Sequence, residues 1–404
     1  MKISAKKSGV WATTCNLRDE LRDACLVDGV PIPVANEERR LGAFLSYTRR
    51  KTASRVDRTA AESQETVRRI EGLKLFLEAR ATLVSSLVLP KALYGCACSA
   101  PSKKALRTLR ASCSRAVWGQ ANRWRANEAL HCLFTKGHIC DPVQAYAYQC
   151  FVTARRVLTR KPELITIFAE TLNYRQEVAT FKQTPGPVGS LVLAADIANV
   201  TFESATQLAI REEKDPMEVG THAWLACDRG RFEHMLRESL RTEQWNVLSY
   251  RRPLFQGAHN GVDRKATLEL YKQLSGLAKY KLRCILAGAL ATRARQHKMN
   301  NETTPDCPHC PGIREDAEHI FSECPKYAHL RTIDLGHEVW QAMPNCLKFQ
   351  GVVPLLDIEG LPPDFCGEVG RKVLGCTVQH NLLDIWDERL KFVDVVPPAP
   401  RWGN

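Results

Sequence analysis

Between positions 307 and 324 the chain reads Cys-Pro-His-Cys-Pro-Gly-Ile-Arg-Glu-Asp-Ala-Glu-His-Ile-Phe-Ser-Glu-Cys, a C-x2-C-x8-H-x4-C spacing. No other stretch constrains the fold so tightly. Three thiols and one imidazole supply the four S/N donors of a tetrahedral structural zinc site, which leaves no position open for a substrate. The C-x-x-C pair sets two thiolates on one tight turn, shaped by Pro308 and Pro311-Gly312. A helix is expected over 315–322, carrying His319 and ending near Cys324. Cys307, Cys310, His319 and Cys324 are therefore the expected ligands of a single structural Zn2+. His309, His329 and Cys346 are competitors, and His309, inside the turn, is expected to point away. Three thiolates on Zn2+ leave a net charge of about −1, which does not repel nearby basic residues.

The other cysteines carry weaker signals. The chain has 16 in 404 residues, far below the density of a disulfide scaffold. His131-Cys132 and His138-Ile-Cys140 form a loose cluster, read mainly as core. Cys366 and Cys376, with no histidine between them, are read as core thiols. No apolar run of signal-peptide length opens the sequence, so the thiols are expected to be reduced and the protein nuclear or cytoplasmic, not secreted. The most apolar window, 81–100, contains Ser85, Ser86, Pro90 and Lys91 and is read as core, not as a membrane span.

Charge is uneven along the chain. Net charge is +13 overall. The first 298 residues carry 48 basic and 28 acidic side chains, the remainder 9 and 16. Two blocks are nearly free of acid. One holds Lys103, Lys104, Arg107, Arg110, Arg115, Arg123 and Arg125, with Trp118 and Trp124 among them. The other runs from Arg264 to Lys298 and includes Lys279, Lys281, Arg283, Arg293 and Arg295, with Glu269 its sole acid. Such blocks suit a polyanion, because phosphate backbones are densely charged and release counterions when neutralised. The plain alternative is a solvated basic helix face, with the tryptophans in the core.

Several function classes lack their residues. There is no adjacent Asp-Asp pair to hold the two metal ions of a template-directed polymerase. The phosphate-cradling glycine loops, the serine-hydrolase elbow, H-E-x-x-H and the zinc-deaminase pattern are also missing. No nucleophile or general base stands out.

The expected fold is mainly α, within the α+β class. Residues 1–58 read as short β elements, with Asp28-Gly29 as a hairpin turn. From about 60 to 89, Ile70, Leu73, Leu77, Ala81, Val84 and Val88 form one apolar helical stripe, which Pro90 should end or kink. Further helices are expected over 102–118 and 142–159. The 183–190 stretch reads as a turn-rich linker, and 264–298 as one or two basic helices.

The C-P-x-C … E-H-I-F-x-x-C-P form of the metal motif resembles the C-terminal zinc knuckle that follows the reverse transcriptase of non-LTR (LINE-type) retrotransposons. Leu89-Pro-Lys-Ala-Leu-Tyr94-Gly95 resembles that family's P-x-x-L-Y-G thumb segment. Arg39-Arg-Leu41-Gly42 resembles its primer-grip motif E. Lys2-Ile-Ser-Ala-Lys-Lys7-Ser8 resembles palm motif D, with Lys7 matching the lysine that assists nucleotidyl transfer and Ser4 replacing asparagine. Residues 133–158 resemble the helical part between thumb and knuckle.

The resemblance implies a palm-edge remnant over 1–58, a thumb-like region over 59–160 and a basic helical linker over 161–299. The knuckle follows over 300–335, then an acidic segment over 336–404 with no assigned role. It implies RNA or DNA as partner, and an upstream portion carrying the catalytic aspartates as a partner in trans. This chain alone, with no catalytic residues of its own, is expected to be an inactive nucleic-acid-binding fragment. The alternative is a zinc-stabilised helical interaction scaffold with no nucleic-acid role. Six phosphate contacts would give a log–log salt slope of roughly −5 on duplex DNA.

Overall fold

A computed structural model describes residues 8–10, 12, 14–34, 37–40, 43–46, 54–119, 124–177, 186–211, 219–299, 303–331 and 337–392. The motif-D-like lysines through Lys7, Leu41 and Gly42 of the motif-E-like segment, Arg123, and the first part of the 183–190 stretch lie outside them. The described residues are mainly helical, with four small antiparallel sheets, as expected. They divide into two compact units. One takes in Met1–Leu73, Ala79–Val117 and Gly137–Leu240, the other Lys74–Glu78, Trp118–Lys136 and Arg241–Asn404.

In the first unit, strands Leu26–Val27 and Val30–Pro31 pair across Asp28 (φ 51°) and Gly29 (φ 76°). Two consecutive left-handed residues make the tight turn that Asp-Gly favours. Beside this hairpin the chain forms a helix, Cys15–Ala24, where only β structure was expected. The Thr14 hydroxyl caps it by accepting from the Leu17 N–H at 3.4 Å.

The single helix expected from 60 to 89 is interrupted. Ser54–Gly72 ends at a glycine, a weak helix former, and helix resumes at Leu77–Leu83. Ile70, Leu77, Val84 and Val88 are buried, but Leu73, in the break, is exposed. Pro90 does not stop the chain. The preceding turn, Val84–Val88, widens so that the Leu89 N–H reaches the Val84 carbonyl, and Pro90 sits in the first turn of Leu89–Ala92.

Helices Lys103–Trp118 and Pro142–Arg160 form where expected. Gly186–Ala198, which begins within the stretch read as a linker and runs beyond it, is also a helix, opened by Gly186 (φ 83°) and Pro187. It packs on Pro142–Arg160, where the Tyr146 hydroxyl donates to the Ser190 carbonyl at 2.9 Å. Phe151, Phe168, Phe202, Trp224 and Phe232 fill the core nearby, with ring centroids 5.8–6.4 Å apart.

The second unit holds the metal-motif segment and the C-terminal helix in one core. The basic stretch 264–298 forms four short helices, not one or two: Arg264–Thr267, Glu269–Gln273, Gly276–Leu286 and Arg293–His297. Gly288, at φ 60°, turns the chain after the third. The segment without an assigned role contains the helix Gly367–Leu390, whose Leu374, Val378, Leu382, Ile385 and Trp386 are buried in that core with Ile320, Phe321 and Tyr327. Cys366 is exposed at the start of this helix and is not the core thiol expected, whereas Cys376 is partly buried and packs against that core. Among the described residues no helix is long and apolar enough to cross a membrane.

Candidate metal centre

Strands Asp306–Cys307 and Cys310–Arg314 pair as a hairpin with Cys307 opposite Cys310, so Pro308 and His309 form a two-residue turn. This register brings the first two thiols to one end of the hairpin. The third lies 3.9 Å from Cys307 and 3.8 Å from Cys310, Sγ to Sγ. Cys307, Cys310, His319 and Cys324 are all buried, with their donor atoms within 4.8 Å of one another. Such a group can hold one metal ion, and no second one exists among the described residues. His131, Cys132 and Cys140 are buried singly in the core instead.

The helical segment expected after Glu315 is short and wide. Asp316 caps it, accepting from the His319 N–H at 3.0 Å. Within His319–Glu323 the turn is of π type, and the Cys324 N–H donates back to the His319 carbonyl at 2.7 Å. An α-helix rotates 100° per residue, so residues five apart would sit roughly 140° away from each other. The i→i−5 bond sets Cys324 one wide turn after His319. Arg331 closes the end, donating from Nε to the Phe321 carbonyl at 3.0 Å and from Nη2 to the Cys324 carbonyl at 2.8 Å.

The His319 ring is oriented for metal. Its Nδ1 lies 3.3 Å from Glu323 Oε2. Its Nε2 is buried and has no hydrogen-bond partner. Buried polar atoms are nearly always paired, so an orphaned imidazole nitrogen among three thiols fits a coordination site. A carboxylate on the far nitrogen is the usual outer support of a ligating histidine.

Cys307 and Cys324 resist ionisation without a cation. Burial, then the neighbouring Cys307, pushes the Cys324 thiol up to about 12. Burial also raises Cys307, opposed by the backbone N–H groups of His309 and Cys310. Those amide donors favour a thiolate there, as a bound cation would. The competing ligands stay outside. His309 packs edge-on against Tyr327 and Phe392, at 5.9 and 5.1 Å between centroids. Cys346 is buried in the core away from the four donors.

Sequence reasoning missed the outer residues of the site. Asp316 and Glu323 had readable signals, a capping carboxylate three residues before His319 and a carboxylate one turn after it. Glu315 had none. It accepts from the Arg293 backbone N–H at 2.9 Å and pairs with Arg389, far along the chain.

The basic residues fall into distinct groups. On helix Lys103–Trp118, Lys103, Lys104, Arg107 and Arg115 are exposed and share roughly 120° of the helix circumference. Arg115 lies 3.3 Å from Glu71. Arg110 is different: its Nη2 meets the fully buried Asp141 at 2.7 Å.

In the second unit Trp118 is 4% exposed, so its ring is not available to stack on a base. The Arg125 and Arg283 guanidiniums lie over it, at 5.8 and 5.2 Å from the ring centroid. Lys279 sits 4.8 Å over Tyr271, and Lys281 pairs with Asp387. Arg293 is partly buried. Arg295 donates from Nη1 to the Gly288 and Leu290 carbonyls, at 2.7 and 3.1 Å.

Comparison with protein-family models, curated proteins and solved structures gives no match to this chain.

Proposed function

We propose that this chain is a zinc-stabilised nucleic-acid-binding protein related to the thumb-to-knuckle part of non-LTR retrotransposon reverse transcriptases. The unpartnered Nε2 of His319, buried among three thiols, is the observation that carries the zinc assignment. Cys307, Cys310, His319 and Cys324 would fill all four positions of Zn2+, so the ion's part is structural. Lys103, Lys104 and Arg107 supply the nucleic-acid face. They are exposed, lie on one side of a helix and have no ion-pair partner among the described residues. Contacts of this kind position a phosphate backbone without reading its sequence.

The engagement of Arg110, Arg125, Lys281 and Arg295 within the fold favours a second reading, a zinc-stabilised interaction scaffold. One experiment separates the two. Zinc is quantified in the purified chain and in Cys310→Ser and His319→Ala, and RNA and duplex DNA binding is followed against salt concentration. About one zinc per chain, lost in both variants, supports the metal assignment. Three phosphate contacts give a log–log slope of about −3 on duplex DNA. Stoichiometric zinc with a slope near zero leaves the scaffold reading.

A further inference from the structure

We infer that Lys279 and Arg283 form a binding site for a phosphate group on the helix Gly276–Leu286. The site lies in a different unit from the Lys103–Arg107 face, and the inference does not depend on that face binding nucleic acid.

The helix carries Lys279, Lys281 and Arg283 and no acid. Lys281 is neutralised by Asp387. The other two are four residues apart and share one side of the helix, where like charges repel by a few tenths of a kcal/mol. Neither has a carboxylate partner among the described residues. Each is instead held over aromatic rings, Lys279 at 4.8 Å from Tyr271 and Arg283 at 5.2 Å from both Tyr280 and Trp118. A ring fixes a cation in place without a counter-charge, and the Arg283 guanidinium also hydrogen-bonds the neutral Tyr271 side chain, so both cations are positioned and keep charge with which to meet an anion.

The surroundings strengthen this. Arg125 shares the Trp118 ring with Arg283. Arg252 donates to the Trp124 and Arg125 carbonyls at 2.9 and 3.1 Å, and Arg295 to carbonyls of its own segment. Carbonyls satisfy hydrogen bonds and bring no net negative charge. Glu128 and Asp316 are the carboxylates that bear on Arg252 and Arg295. Glu128 is engaged by Arg251 at 3.0 Å and Asp316 by the His319 N–H. Burial, then the neighbouring Arg252, holds the Arg295 guanidinium down at about 10, so these two guanidiniums lie close enough to repel each other. Buried charge is ordinarily paired. A phosphate dianion offers the missing charge and the oxygens that a guanidinium meets two at a time. Trp118 thus acts as a platform for guanidinium groups, not for bases.

Inorganic pyrophosphate serves as probe, titrated calorimetrically into the metal-loaded full chain at constant ionic strength. Saturable binding is expected, weakened roughly tenfold or more in Arg283→Gln, less in the charge-keeping Arg283→Lys, and unchanged in Lys272→Gln. If Arg283→Gln does not fold, as judged by circular dichroism, Lys279→Gln carries the same comparison. Oligonucleotides with and without a 5′ phosphate distinguish the source. A preference for the phosphorylated strand that Arg283→Gln abolishes identifies a strand end. Equal binding of both strands with pyrophosphate binding intact identifies a small phosphate compound. Absence of pyrophosphate binding to the wild type, or equal binding by folded Arg283→Gln and wild type, overturns the inference. Charge reversal at Lys103, Lys104 and Arg107 tests the nucleic-acid face separately, since it leaves pyrophosphate binding unchanged.

Discussion

Glu315 and Arg389 form an ion pair in which each side chain is 1% exposed, between the middle of the metal-motif segment and the end of the last described helix. Arg389 also lies over the Trp386 ring at 4.4 Å and donates to the Ala291 carbonyl. Removing one member leaves an uncompensated buried charge. Glu315→Ala is expected to lose about 3–5 kcal/mol of unfolding free energy, and Glu315→Leu with Arg389→Met to recover most of it. Urea titration of the three proteins measures this. A single-variant loss below about 1 kcal/mol would place the pair with ordinary surface bridges.

Glu323 meets the His319 ring at 3.3 Å, where it would support a metal-bound imidazole without touching the ion. Glu323→Ala is expected to weaken metal affinity about tenfold to a hundredfold while keeping the stoichiometry. Competition with a chromogenic chelator reads the affinity, and elemental analysis the stoichiometry. His319→Ala should lose both.

Two buried thiols outside the site set an alkaline limit on stability. Burial raises Cys284 from 9.0 to about 11 and Cys346 from 9.0 to about 12. In the unfolded chain each ionises near 9.0, whereas the folded chain keeps its protons to higher pH. Their contribution is therefore whole below pH 9 and declines as pH rises from 9 toward 11 and 12. The limiting slope is about 1.4 kcal/mol per pH unit for each thiol. Denaturant midpoints for wild type and Cys346→Ala from pH 8 to 10.5 should converge as the pH rises.

Neighbouring cations on one helix separate stability from binding. Arg110→Gln breaks the contact with buried Asp141, which also caps helix Pro142–Arg160 through the Val143 N–H. It is expected to lower stability by about 1.5–3 kcal/mol. Lys104→Gln is expected to leave stability within about 0.5 kcal/mol and to reduce the salt slope by roughly one. Thermal melts and salt titrations of both variants decide the matter.

Features written in local chemistry were legible in the sequence. Asp28-Gly29 fixed its turn because two adjacent residues must adopt positive φ, and the four metal donors came together because their spacing is short-range. The helix expected over 60–89 was not continuous, because periodicity reports which residues are buried and not whether the backbone between them is unbroken. The basic blocks were legible as charge but not as surface. Nothing near Arg110 in the sequence announces Asp141, and nothing near Arg283 announces Trp118. Glu315 and Arg389 are 74 residues apart, a separation at which no local rule operates.

The wide turn at His319 ties the metal site to a residue count. Cys324 follows His319 at the proper place because its N–H closes a loop one residue longer than an α-helical turn. Exchanging Ile320, Phe321 or Ser322 for other side chains alters packing and leaves that arithmetic untouched. Deleting any one of them would let an ordinary helical bond form and draw the third thiol out of phase with the imidazole, with all four donors still in the chain. Length between the last two donors is thus the quantity that drift in this segment cannot change, so a chain keeping every donor but losing one spacer is expected to purify without the ion that the intact group can hold.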